Sequence, residues 1–480
     1  MKRGCGVLLP ISSLPNRYGF GCFSKEAYEF VDYLAELGAK YWQVLPLGPV
    51  DEVGSPYSSV SAFAGEPLYI DLDCILDKGK IGSFELSNKL EFAEYKDRKM
   101  KALRYCFENQ KEKINIEKFK ENNKNWIYNY ALYMALQDYF GVGYSRFPDE
   151  YKDSKGDAVD EFKQKNKREI EFYIYLEYLF FEQWEKLKNY ANEKQIKIIG
   201  DVPIYCAMDS VEMFSQKEIF MLDGKGKPAY ISGVPGDYFN PEGQLWNNPL
   251  YNYKAMEKNH FAWWVSRMQH LSKIYDYVRI DHFRGFESFF AIPYGDTTVE
   301  NGKWIEGPGM KIFEEFYAHK IKNLILEDLG IISKAVIALR KMTGLAGMKV
   351  VQFAFDDDPN NLNLPHLYEE NSVSYLGTHD NDTFMGFLTD ENEKRRVCGY
   401  YNIPVDTPNE TVTKIAIDNL LSTNSVVCVL TMQDILFQGS ESRINTPGTT
   451  EGNWIYRLPL NYKSNEFSEY LKELIKIKNR

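Results

Sequence analysis

The run Tyr277-Val278-Arg279-Ile280-Asp281-His282-Phe283-Arg284-Gly285 brings a carboxylate, an imidazole and two guanidinium groups to the end of a short apolar strand. Unpaired charge is costly to bury, so this cluster makes a poor core and a good site. Arg279 shares Asp281's side of the pleat and Arg284 follows, so Asp281 is expected to stay ionised with a lowered pKa. Two more carboxylates close apolar segments, Glu327 after Leu324-Ile325-Leu326 and Asp380 after His379. Taken singly, such a residue is more often a helix cap or a salt-bridge partner. Together with His282 and His379 the three suggest a nucleophile, a proton donor and a positioning acid. Retaining glycosidases need two carboxyl groups about 5–5.5 Å apart, one attacking the anomeric carbon and one protonating the leaving oxygen. Asp281 suits attack, and the apolar approach to Glu327 raises its pKa toward that of a working acid. A metal site is the competing reading. Sequential His-Asp neighbours, however, point to opposite faces of a strand, unlike the spaced ligands of known metal motifs.

These residues need a scaffold that gathers strand ends. Short apolar strands are expected at 6–9, 41–45, 197–200, 277–280, 323–326, 349–353, 373–376 and 426–430, most of them followed by polar residues. Helices alternate with them. The first is capped by Ser24, carries Ala27, Phe30, Val31, Leu34 and Leu37 on one face, and stops at Gly38; later ones fall at about 310–320, 334–343, 391–400 and 411–422, with Ser333 and Gly344 bounding the second of these. Eight strand–helix units predict a (β/α)8 TIM barrel, whose chemistry sits at the C-terminal strand ends, where Asp201, Asp281, Glu327 and Asp380 would converge. A doubly wound open sheet is the alternative, and the absence of a GxGxxG turn after the first strand counts against its dinucleotide-binding form. The barrel is assigned to 1–67 and 172–480, with a mostly helical insertion at 68–171 and a Gly-, Pro- and aromatic-rich excursion over about 204–253.

A net charge of −11 argues against a nucleic-acid partner. No apolar run approaches eighteen residues, so no membrane span is expected. Aromatic residues, 15% of the chain, suit stacking on flat hydroxylated ligands. Seven scattered cysteines without a CxxC pair, and an N-terminal apolar run cut short at Pro10, point to a reduced, cytoplasmic protein.

The chain resembles glycoside hydrolase family 77, the 4-α-glucanotransferases also called amylomaltases or disproportionating enzymes. The likeness rests on Arg279 to Gly285, Glu327-Asp328-Leu329-Gly330 and Gly377-Thr378-His379-Asp380-Asn381-Asp382. It extends to Ser55-Pro56-Tyr57-Ser58-Ser59, Gly233-Val234-Pro235, Gly243 to Tyr251, Arg443-Ile444-Asn445-Thr446-Pro447-Gly448 and Gly452-Asn453-Trp454. The resemblance implies that Asp281 forms a covalent glucosyl-enzyme, Glu327 is the acid/base and Asp380 stabilises the distorted sugar. Arg279, His282, His379, Tyr57, Asp201 and Asn453 would bind around the reacting glucose. Tyr238, Phe239 and Trp246 would belong to a loop arching over the cleft. It further implies α-1,4-glucans and malto-oligosaccharides as substrates and no cofactor. Gly236 stands where many relatives carry proline, which would loosen closure of that loop. The oligomeric state carries no sequence signal.

Two other readings compete with transfer. An α-amylase-type hydrolase would usually bring a calcium site and a C-terminal β-sandwich, whereas this chain ends at Arg480 on a helix carrying Phe467, Leu471, Leu474 and Ile475. A non-catalytic glucan-binding barrel would be expected to have lost its carboxylates.

Overall fold

In the computed structural model of the chain, which describes residues 1–87, 90–109, 116–236, 242–330 and 332–480, eight parallel strands close into a barrel. In chain order the strands are β1 (Gly4–Leu8), β2 (Tyr41–Gln43), β3 (Lys197–Val202), β4 (Tyr230–Val234), β5 (Gln244–Pro249), β6 (Tyr277–Ile280), β7 (Ser288–Pro293), β8 (Lys303–Glu306), β9 (Leu324–Leu326), β10 (Ala346–Val350), β11 (Ser372–Tyr375) and β12 (Val427–Thr431). The barrel runs β1-β2-β3-β6-β9-β10-β11-β12, and closure comes from β1 lying parallel to β12, with Gly4 opposite Val427 and Leu8 opposite Thr431. Closure excludes the doubly wound open sheet. Its strands are almost wholly buried, as parallel strands covered by side chains within and helices without must be.

The expected elements appear with instructive shifts. Gly38 ends helix Lys25–Leu37 at φ 84°, and Gly344 ends helix Lys334–Thr343 at φ 66°, both in the left-handed conformation that glycine adopts without strain. Ser333 caps the latter, accepting from the Val336 amide. Ser24 occupies the N-cap position, but its hydroxyl donates to the Glu26 carboxylate rather than capping the helix. The sixth barrel strand was expected at 349–353 and lies at Ala346–Val350. The Asp328 carboxylate accepts the Met348 amide at 2.7 Å, and Gly347 pairs with both Leu326 and Ser372, which fixes the register. Val351–Phe353 then turns as a 3-10 segment despite its apolar character.

Between β2 and β3 the chain is helical, with helices Phe92–Glu108, Ile127–Phe140 and Asp157–Lys165 leading to Lys167–Glu193, which starts before residue 172. That last helix buries Leu176, Leu179, Phe180, Trp184 and Leu187 toward the barrel, and Trp184 donates to the Ile274 carbonyl. Leu103, Tyr130, Leu136 and Phe162 belong to the same continuous core cluster as the barrel strands. The excursion after β3 holds structure the sequence reading passed over. Strands β4 and β5 join β7 and β8 in an antiparallel sheet ordered β5-β4-β7-β8. Its alternation is broken by a register shift between Ile231 and Gly233, and β8 is largely exposed, so neither strand pattern stands out in the sequence. Among the described residues no helix is long and apolar enough to cross a membrane.

Candidate active site

Asp201 lies in β3, Asp281 directly follows β6, Glu327 directly follows β9, and Asp380 stands beyond β11, all at the C-terminal end of the barrel. Asp281, Glu327 and Asp380 line one cavity of about 830 Å³ together with Tyr57, Tyr205, Trp246, Arg279, His282, Arg284, Trp304, Phe353, Asn445, Asn453 and Trp454.

Arg279 is the organising charge. Its buried guanidinium donates to Asp201 at 2.6 Å and to Asp281 at 2.8 Å, a fork that fixes both carboxylates. Tyr57 donates to the same Asp201 oxygen at 2.7 Å, and its ring stacks on His379 with centroids 5.1 Å apart and planes 10° from parallel. The pKa of Asp281 runs opposite to the expectation. Burial pushes it up, Arg279 pulls it down, and the charges of Asp201 and Asp380 raise it again, leaving it above the usual aspartate range. The guanidinium of the second arginine of the motif, Arg284, lies 3.9 Å over the Trp304 ring.

Glu327 accepts the backbone amide of His282 at 2.7 Å with one oxygen and that of Leu329 at 2.9 Å with the other. Burial raises its pKa well above the usual glutamate range, the Asp281 charge adds to that, and Arg279 and the two amides only partly oppose it. The direction matches the sequence reading, and Glu327 stands above Asp281. His282 adopts φ 51° to make its bond, a left-handed conformation uncommon for a residue with a side chain, and its ring meets Trp246 edge-on at 4.8 Å. Burial, reinforced by Arg284, lowers its pKa to about 4, and burial lowers that of His379 too. Both imidazoles are therefore neutral near pH 7. His379 is buried, 3.3 Å from an Asp380 oxygen without hydrogen-bond alignment, and among the described residues neither ring nitrogen has a hydrogen-bond partner.

Asp380 is held from the loop after β12. Asn445 donates to its carboxylate at 2.7 Å, Arg443 donates to its backbone carbonyl at 2.7 Å, and Arg443 also donates to the Asn445 carbonyl. Neither residue carried a role in the sequence reading, although both lie in a motif that it quoted; a basic residue and an amide two apart in a loop gave no periodic signal. Asn453 lines the cavity, but its amide oxygen accepts from Thr446 and its nitrogen donates to Thr449, so its polar end closes its own loop. Trp246 sits on β5 facing His282, whereas Tyr238 and Phe239 lie outside the described residues. Among the described residues no three His, Cys, Asp or Glu side chains converge as a metal-binding group.

The family model described as 4-alpha-glucanotransferase, glycoside hydrolase 77, matches residues 9–461. The chain belongs to the 4-alpha-glucanotransferase family. It is 41% identical to a 4-alpha-glucanotransferase of Clostridium butyricum over 98% of this chain and 99% of the relative. It is 39% identical to one from Streptococcus pneumoniae over 100% of this chain and 98% of that relative. Its fold superposes on an amylomaltase from Streptococcus agalactiae, solved in complex with acarbose, with a TM-score of 0.94 and 35% identity over 100% of both chains. This 4-alpha-glucanotransferase family member is thus a glucan-active transferase on a TIM barrel, and Asp201, Asp281, Glu327 and Asp380 lie at the strand ends where that fold concentrates its chemistry.

Proposed function

We propose that the enzyme disproportionates α-1,4-glucans by retaining double displacement through Asp281 and Glu327. The observation that carries this is the unequal pair. Asp281 is fixed by Arg279 with 30% of its side chain accessible, while Glu327 sits higher in pKa between two backbone amides in the same cavity. Ionised Asp281 attacks the anomeric carbon as the glycosidic C–O bond breaks, and Glu327 gives its proton to the leaving oxygen. The 4-hydroxyl of an acceptor glucan or glucose then attacks the glucosyl-Asp281 ester. Glu327 takes the hydroxyl proton and the Asp281 carboxylate leaves. Asp380 and His379 bind hydroxyls of the reacting sugar, Arg279, Asp201 and Tyr57 aim the nucleophile, and His282 presents its ring beside Trp246. Asn453 supports this wall through its loop.

Water completes the second step in a hydrolase. Transfer instead requires an oriented acceptor and restricted water, which the aromatic wall of Tyr57, Tyr205, Trp246 and Trp454, with Val234, Pro235 and Gln244 from the ends of β4 and β5, supports. The acarbose held by the streptococcal amylomaltase fits the same substrate class. The helical stretch between β2 and β3, assigned from sequence to 68–171, acts as an inserted unit that helix Lys167–Glu193 carries across residue 172 into the barrel of 1–67 and 172–480. The free state of all seven cysteines supports a cytoplasmic setting.

Incubation with maltotriose alone, following glucose and chain lengths together, tests the reading. The expected outcome is glucose plus a ladder of longer malto-oligosaccharides, both abolished by Asp281→Asn. Glucose and maltose without longer products would make water the acceptor and replace transfer by hydrolysis.

A further inference from the structure

Trp304, on β8 outside the barrel, is 40% exposed and lines the cavity that holds the three carboxylates. Single exposed apolar side chains are ordinary on protein surfaces. Three features separate this one. Its ring is fixed, because the Arg284 guanidinium lies 3.9 Å over it and the ring of Phe290, its antiparallel partner on β7, meets it at 5.2 Å and 62°. Phe290 and Arg284 are themselves buried, so the indole is braced from behind by parts of the fold that cannot yield. Finally, it stands one side chain removed from the chemistry, since Arg284 is on the turn that begins at Asp281.

We infer that Trp304 is a sugar-stacking platform, a distal subsite that takes an α-1,4-linked glucose unit beyond those at the cleavage point and thereby sets the length preference of one arm of the cleft. The aliphatic C–H face of a pyranose lies well on an indole, and a preordered ring loses little rotamer entropy on binding. Binding energy gathered there reaches the reaction only for chains long enough to span from Asp281 past Arg284. The inference rests on the transferase reading of the cavity, and the test separates the two.

Initial rates are measured for donors from maltotriose to maltoheptaose on the wild type, Trp304→Ala and Trp304→Tyr. The expected result is a fall in kcat/KM of about 5- to 10-fold on maltoheptaose, carried by KM, with a smaller fall on maltotriose and partial recovery in Trp304→Tyr. A loss equal at every length, or no loss, overturns the subsite. Calorimetric titration of maltoheptaose into Asp281→Asn, with and without Trp304→Ala, reads the same preference without turnover. If the wild type makes no longer products from any donor, the transferase reading fails, and unchanged affinity in this titration overturns the platform separately.

Discussion

Arg279 lies at the centre of the polar network because it is shared. With Asp201 on one side and Asp281 on the other, its charge is divided between two carboxylates, and burial outweighs what remains for the nucleophile. The sequence placed the arginine beside Asp281 and Asp201 at the same end of the barrel, and missed the sign of the shift because neither the burial of Asp281 nor the sharing of Arg279 with Asp201 can be read from spacing. The consequence is a pH profile. Asp281 must be ionised to attack, so kcat/KM rises as pH rises through its elevated pKa. Glu327 must carry a proton, so kcat/KM falls above its still higher one, giving a bell. Replacing Asp201 by asparagine removes a charge that raises the Asp281 pKa and leaves Arg279 more fully to Asp281, both of which lower it. The acidic limb for Asp201→Asn should therefore move to lower pH than in the wild type. An unmoved limb in kcat/KM against pH would show that Asp201 does not govern the ionisation.

At the scale of elements, the barrel was legible because each unit repeats one message, an apolar run, a polar end and a capped helix. Helix Lys334–Thr343, with Ser333 before it and Gly344 after it, falls where its signals put it. What the sequence hid were elements whose reasons lie elsewhere in the fold. β10 slips because the Asp328 side chain claims the Met348 amide, and β8 is a strand only because β7 lies beside it. The loop after β12 is the functional example. Arg443 and Asn445 have no pattern of their own, yet they clamp Asp380 from outside the barrel. Asn445→Ala should leave the Asp380 carboxylate free to rotate. The expected effect is a drop in kcat of about 10- to 100-fold, the worth of a hydrogen bond to a charged group, with little change in KM or in thermal unfolding. A KM effect at constant kcat would assign Asn445 to ground-state binding instead.

For the whole molecule, the same burial that tunes the site works against stability. A carboxyl whose folded pKa exceeds its unfolded value costs nothing below the unfolded pKa; the cost grows as pH rises between the two values and is complete above the folded one. Glu327 is such a group, raised by burial and by Asp281. Glu327→Gln should therefore unfold at a higher temperature than the wild type at pH 8 and show a smaller gain at pH 5, while losing transfer. Equal Tm values at both pH values would contradict the raised pKa. Stability of this kind belongs to the entire chain, since the helices between β2 and β3 and the barrel share one core cluster. The seam between β1 and β12 carries one more consequence, for synthesis on the ribosome. The strand made first waits beside an unfilled place until nearly the whole polypeptide has emerged, because its partner ends at Thr431. Throughout that interval the growing sheet presents raw edges on β1 and on whichever barrel strand was last to arrive, so the nascent protein, rather than the finished one, is the species most in need of a chaperone's cover.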